Sequence, residues 1–439
     1  MASANKPTEL TLRAYQVGFG DCFLLTFHYT NFDRHLLIDF GTTGLPKGLN
    51  KESHMLRVAE DIRKVCTPGN GGGEPKLHAV VATHRHADHI SGFATKGNDP
   101  SSGQVIADLK PDVIVQPWTE HPKADPVTGK LTRANAKSFA FASTLQNMHA
   151  ISAAVLVETQ RRQLSLGKEL FRELSFLGED NIANRSAVEN LMRMGKRRGA
   201  KATYVHYRTK SGLEKVLPGV KITVLGPPSL KQTETVRKQR SKDKDEFWHF
   251  TAFAEQMVVK QKSKIFPAAK TYSALRTPPF TRWFISRMKS LRGEQMLSIM
   301  RALDKVMNNT SIILLFEVGG KKLLFPGDAQ IENWAYALGK PQNHKLLSDV
   351  DLYKVGHHAS LNATPKTLWN LFKNRSTKKT PSQLVTVVST MPGKHGKTAN
   401  ETEVPRRPLV EALKKESDYH TTQDIKSKDG PCEIIKIPV

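Results

Sequence analysis

Along the first hundred residues, short apolar runs are separated by polar turns. "ELTLRAYQV" alternates with period two, "CFLLTFHY" resumes after the turn "GFGD", and "HLLIDFG" closes on an aspartate and a glycine. Alternation of this kind puts one strand face on a core, so these runs predict strands. "MLRVAEDIRKV" instead has helical spacing, and "GNGGG" behind it is a connector. "LHAVVATH" and "PDVIVQPW" predict two further strands, the first of them buried.

From Leu131 to Gly199 the pattern turns helical, and "ANRSAVENLMRM" starts a helix with Asn184 as its cap. "ATYVHY" and "VKITVLGPP" return to strand. Residues 231–305 are highly charged, with "VRKQRSK", "VKQKSK" and "SRMKSLR", and predict a basic, largely helical insertion. "SIILLFEVGGKKLLFPGDA" reads as a β-hairpin about a Gly-Gly turn. "DLYKVGHH" and "QLVTVVST" follow as strands, "RRPLVEALKKE" as a helix and "CEIIKIPV" as a last strand. The expectation is one α/β domain over 1–439, interrupted by a helical insertion at 131–199 and the basic one at 231–305.

One stretch carries chemistry. "ATHRHADHISGF" places His84, His86, Asp88 and His89 directly behind a buried strand. Imidazole and carboxylate donors suit Zn²⁺, Mn²⁺ or Fe²⁺. Neighbouring side chains diverge, so four such groups close more easily around two ions than one. His84 and His86 would take one ion, and Asp88 and His89 the other.

The charge balance adds a partner class. Lys and Arg number 66 against 41 Asp and Glu, a net charge of +25. An excess this large favours polyanions such as nucleic acid. Cys22, Cys66 and Cys432 are widely spaced, which suggests no disulfide framework and a reduced compartment. "MASANKPTEL" lacks an apolar signal core, and no apolar run of about 18 residues occurs. A cytoplasmic protein without a membrane partner is therefore expected.

The histidine spacing behind a strand and a threonine resembles the metallo-β-lactamase superfamily. Asp39, ending "LLIDFG", matches its first aspartate, which orients the metal loop; Asp328, in "LLFPGDA", matches the aspartate that bridges two metals; "DLYKVGHHAS" matches a late histidine ligand. The chain is most similar to the hydrolase domain of ComEC-type DNA-uptake proteins. Val17 to Asp21 ("VGFGD"), Asn308 to Ser311 ("NNTS") and His357 to Ser360 ("HHAS") match motifs found together there. The resemblance implies a four-layer αββα sandwich with metals at one edge, between the sheets. It implies two divalent ions, Zn²⁺ or alternatively Mn²⁺, held by His84, His86, Asp88, His89, Asp328 and His357. His358 would then lie nearer the substrate, although either of the two histidines could be the ligand.

The chain also departs from that pattern. Asn308 and Asn309 stand where most of the superfamily has a further histidine. An amide oxygen, His121 or water are candidates to replace it; a "GHP" before the last helix in ComEC-type chains is here "EVP", Glu403 to Pro405, and His395 is the candidate for that lost imidazole. Asp21 is either a turn residue or a partner behind the ligands, and Trp118 either packs or stacks on a base.

The implied chemistry is attack by a water activated between two ions, fixed by Asp88, His89 and Asp328. With the charge excess, this leads to a nuclease or phosphodiesterase acting on nucleic acid, DNA before RNA. Arg237, Lys238, Arg240 and Lys242 would grip phosphates. A role in defence against foreign DNA, with a partner protein, would suit a free-standing form. The alternatives are a hydrolase of a small anionic substrate, such as a cyclic nucleotide or thioester, and a nucleic-acid-binding module with a degenerate metal site.

Overall fold

The computed structural model describes residues 6–69, 73–97, 100–121, 184–229, 232, 307–360, 364–394, 403–425 and 430–439. The chain divides into two compact units. The described residues belong to the one made of Met1–Ala124, Ala183–Val236 and Met307–Val439. The expected insertion at 231–305 lies outside them apart from Gln232, and so does that at 131–199 up to residue 183.

The unit is mixed α/β with two mixed sheets. The first has seven strands in the order β13-β1-β2-β3-β4-β5-β6. These are β1 (Glu9–Tyr15), β2 (Cys22–His28), β3 (Asp33–Phe40), β4 (Ala79–Val81), β5 (Val113–Pro117), β6 (Lys201–Val205) and β13 (Cys432–Pro438). The second has six, in the order β12-β11-β10-β9-β8-β7. These are β7 (Lys221–Gly226), β8 (Ile313–Val318), β9 (Lys321–Phe325), β10 (Leu352–Lys354), β11 (Val385–Val388) and β12 (Asp418–Thr421). In each sheet an antiparallel half joins a parallel half, at β3 in the first and β9 in the second.

The alternation read along the strands decides how the layers form. Leu10, Leu12, Phe23, Leu25, Leu36 and Ile38 point into a core shared with Leu314, Phe316, Leu323, Phe325, Leu352 and Val387 of the second sheet. The opposite face of the first sheet, with Leu24, Leu37 and Val80, packs on helices. Those helices are α1 (Lys51–Val65), α3 (Ser102–Asp108) and α4 (Arg185–Lys196). The opposite face of the second sheet, with Leu315, Leu324 and Tyr353, packs on Trp334, Leu347, Leu368 and Leu413. These come from α5 (Ile331–Leu338), α6 (Pro341–Ser348), α7 (Lys366–Leu371) and α8 (Arg407–Glu416). Burying both faces of each sheet is what forces helices onto both outer surfaces.

Two local expectations need correction. Asn184 precedes α4, but its side chain makes no capping bond; its Nδ2 donates instead to the Arg85 carbonyl at 2.9 Å, tying the helix to the histidine loop. The "LHAVVATH" strand is only three residues long, because the chain must leave the sheet at Ala82 to form that loop. Among the described residues no helix is long and apolar enough to cross a membrane.

Candidate metal centre

Five segments converge at one edge of the two sheets. Asp39 lies at the C-terminal end of β3, and the loop Thr83–His86 leaves β4 to enter α2 (Ala87–Ile90). Asp328 follows β9, while His357 and His358 follow β10. Asp21 precedes β2, which is antiparallel to β3, so it too falls at this edge. Gly41 lets these segments close up: a Cβ there would collide with the backbone of Ala87, Asp88 and His89.

Asp39 organises the loop from below. It sits at φ +56°, a region that aspartate tolerates better than most side chains. Its Oδ1 accepts from the Thr83 N–H at 2.7 Å. Its Oδ2 accepts from Thr83 Oγ1 and from His89 Nδ1, each at 2.7 Å. The Ser389 carbonyl likewise accepts from His358 Nδ1 at 2.9 Å. Carbonyl and carboxylate oxygens only accept, so both Nδ1 atoms carry protons and both rings present Nε2.

The presented atoms meet. His89 Nε2 lies 3.1 Å from Asp328 Oδ2, and His358 Nε2 lies 3.0 Å from Asp88 Oδ2 and 3.7 Å from Asp328 Oδ2. With metal–ligand bonds of about 2.0–2.2 Å, tetrahedral donors stand roughly 3.3–3.6 Å apart. In two groups, Asp88–His89–Asp328–His358 and His84–His86–Asp88, one donor atom per residue lies within 4.8 Å of all the others. These buried histidines and aspartates could hold a metal ion, and Asp88 is common to both groups. A third group, Asp21–Asp39–His89, lies on the Nδ1 side of His89.

The electrostatics favour a cation at the meeting point. Burial alone would push His89 down, but Asp328, Asp39, Asp88 and Asp21 raise its pKa well above the usual histidine value. His358 is raised against its burial by Asp328, Asp21 and Asp88. Asp328 is held well below the carboxylate range against its burial, by His89, His358 and His357. Asp88 is also lowered, by His89 and His358. Positive charge is therefore drawn to the Nε2 atoms, where a metal would compete with protons. His84 behaves differently: burial, with His89 and His86 beside it, drives its pKa well down, which keeps a neutral ligand nitrogen.

The late histidine differs from the expectation. His358, fully buried, belongs to the group of four, whereas His357 does not. His357 Nε2 stays 3.9 Å from Asp328 Oδ2, its Nδ1 meets Ser360 Oγ at 2.7 Å, and its side chain is 27% exposed. The physical reason is the turn. His357, His358 and Ala359 have φ of 44°, 52° and 63°, a left-handed run that turns His358 inward.

The other candidates fall as follows. Asp21 lies 3.6 Å from His89 Nδ1 and 3.6 Å from His358 Nδ1, behind the rings. Asn308 is buried, and its Oδ1 has no hydrogen-bond partner among the described residues. Its loop adjoins the histidine loop, since Ile312 N–H donates to the Thr83 carbonyl at 3.0 Å. His121 meets the Tyr204 ring edge-on with centroids 4.5 Å apart, and Trp118 Nε1 donates to the Pro228 carbonyl. His395, Arg237, Lys238, Arg240 and Lys242 lie outside the described residues.

Sequence reasoning missed Lys354, which is 1% exposed and ion-paired with Asp21. The available signal was a lysine inside the apolar run "DLYKV". It also missed Thr83, whose Oγ1 lies 3.2 Å from His84 Nδ1, and Ser389, whose carbonyl accepts from His358 Nδ1. Neither protein-family models nor curated proteins yield a match to this chain.

Proposed function

We propose that the protein is a metal-dependent hydrolase of phosphodiesters, with nucleic acid as its substrate class. The observation that carries this reading is the convergence of Asp88, His89, Asp328 and His358 on one buried point, with the far side of both rings tied down. The two sheets with helices on both outer faces, and a cluster at their common edge, support the metallo-β-lactamase resemblance. The net charge of +25 supports a polyanionic substrate.

Asp88, His89, Asp328 and His358 would hold one divalent ion, and His84, His86 and Asp88 a second, with Zn²⁺ or Mn²⁺ fitting the donors. When bound, such ions supply Lewis acidity, which activates water near neutral pH and polarises a phosphoryl oxygen. Asp39 holds His89 and the Thr83 turn, so that the ligand geometry exists before substrate arrives. Asp88, shared by the two groups, fixes their spacing. His357, partly exposed beside Asp328 and with its Nδ1 against Ser360 Oγ, would donate a hydrogen bond to a phosphate oxygen of the substrate.

The test uses purified full-length protein with Zn²⁺, Mn²⁺ or Mg²⁺ on labelled single- and double-stranded DNA, RNA and a chromogenic phosphodiester. Metal-dependent cleavage, abolished in Asp88→Ala and His89→Ala, is expected. Cleavage of the small ester alone would move the substrate to small anions. Metal binding without any turnover would leave only a binding module.

A further inference from the structure

Lys354 is the least expected residue beside the site. On β10, Leu352 faces the core between the sheets and Tyr353 faces the outer helices. Lys354 therefore returns to the inner face, at the end of the strand that leads to His357 and His358. An ammonium is driven into a position that the strand pattern reserves for an apolar side chain. It is fully buried and held on several sides. Nζ pairs with Asp21 Oδ2, donates to the Gly327 carbonyl at 3.3 Å, and lies 3.7 Å from Asp328 Oδ1. The Phe23 ring covers it, with its centroid 5.8 Å away.

Asp328 is thus approached differently on its two oxygens. Oδ1 accepts from the His357 N–H at 3.1 Å and faces the ammonium. Oδ2 faces His89 and His358. A carboxylate held in this way has one oxygen left for a cation in the group of four. A fixed positive charge behind it also draws electron density from that oxygen.

We propose that Lys354 is a built-in counter-cation and positioning residue: holding Asp21 and the Oδ1 side of Asp328, it restricts Asp328 to a single donor oxygen and keeps the ligand set weakly donating. This rests on the metal-binding reading above. The consequence is a cation held less tightly than the number of carboxylates would suggest, and left more strongly attracting to an anionic substrate oxygen. Lys354 trades metal affinity for Lewis acidity. A lysine serving stability alone would have no such opposing effects, because its loss would weaken fold and metal binding together.

The experiment measures Co²⁺ affinity by competition with a chromophoric chelator, the Co²⁺ absorption spectrum and the thermal melt. It compares wild type, Lys354→Met, Asp21→Asn and the double variant. Removing the cation should tighten Co²⁺ binding at least tenfold in Lys354→Met and shift the absorption bands as Asp328 gains a second donor oxygen. Asp21→Asn, which leaves the lysine unbalanced, should weaken binding at least tenfold. The double variant restores the net charge and should return to within threefold of wild type. If Lys354→Met alone does not fold, Asp21→Asn against the double variant decides the matter by the same reversal. Unchanged or weaker Co²⁺ binding in folded Lys354→Met, or no recovery in the double variant, overturns the role of the lysine while leaving the metal site standing. A wild type that takes up no Co²⁺ overturns the metal reading, and the lysine's role with it.

Discussion

Asp39→Asn separates ligand orientation from packing. The side chains are nearly isosteric, and Asp39 is 1% exposed, so no cavity opens. The carboxylate accepts three hydrogen bonds, from Thr83 N, Thr83 Oγ1 and His89 Nδ1. An amide offers one oxygen and one NH₂. With its oxygen toward the Thr83 N–H, its NH₂ faces His89 Nδ1, which must then accept. The ring proton moves to Nε2, the atom presented to Asp88 and Asp328, and the ligand nitrogen is lost. With the amide flipped, the NH₂ opposes the Thr83 N–H and the loop loses its anchor. Either way the Thr83 and His89 groups lose a buried charged acceptor, a stability cost of about 1.5–3 kcal/mol. Metal affinity should fall about 10–100-fold, the usual effect of losing the partner behind a ligand histidine. Chelator competition with Zn²⁺ measures the affinity and thermal denaturation the stability. Zn²⁺ affinity within threefold of wild type in a folded Asp39→Asn protein would refute the tautomer argument.

Three further outcomes are expected. His358→Ala should lose an ion, with affinity down at least about 100-fold, whereas His357→Ala should keep its metal and lose turnover; elemental analysis of both variants decides which histidine is the donor. Burial holds His35 and His78 down, to about 4 and about 3, with each other's proximity adding to the first and Arg34 and Lys76 to the second. The unfolded chain takes up these protons near its ordinary value of 6.5, so it binds more protons than the fold as pH falls below that value, and stability drops. At pH 4.5 the loss is about 2–3 kcal/mol per histidine. Denaturant midpoints at pH 7 and 4.5 should therefore differ less in the variant with His35→Gln and His78→Gln than in wild type, and equal differences would refute the assignment. Reversing Arg237, Lys238, Arg240 and Lys242 to glutamate should weaken DNA binding to every sequence and flatten the salt dependence by about 0.7–0.9 in log–log slope per lost contact, read by fluorescence anisotropy. An unchanged slope would place phosphate recognition elsewhere.

The sequence by itself determined the elements and the first half of the site. Alternation along "ELTLRAY" and the apolar run "CFLLTFH" are local properties that mark strands before any partner is known, although the fold goes on to bury both faces of β1 and β2. The Gly-Gly turn likewise marks the hairpin of β8 and β9 from its own residues. His84, His86, Asp88 and His89 were legible because they are adjacent in the chain. Helices α5 and α6 were not read, and neither was β12, whose "DYHT" has a polar pattern and joins the sheet only because β11 offers a parallel edge. The choice between His357 and His358 was also hidden. Two adjacent identical side chains look alike in sequence, and the left-handed backbone run alone turns one inward. Asp21 and Lys354 lie more than three hundred positions apart, and neither segment points to the other as its partner. Their pairing exists only where the antiparallel start of β2 meets the parallel end of β10 across the shared core. Burial there removes water from both charges, so each requires the other, and that requirement belongs to the folded molecule and to no stretch of its sequence.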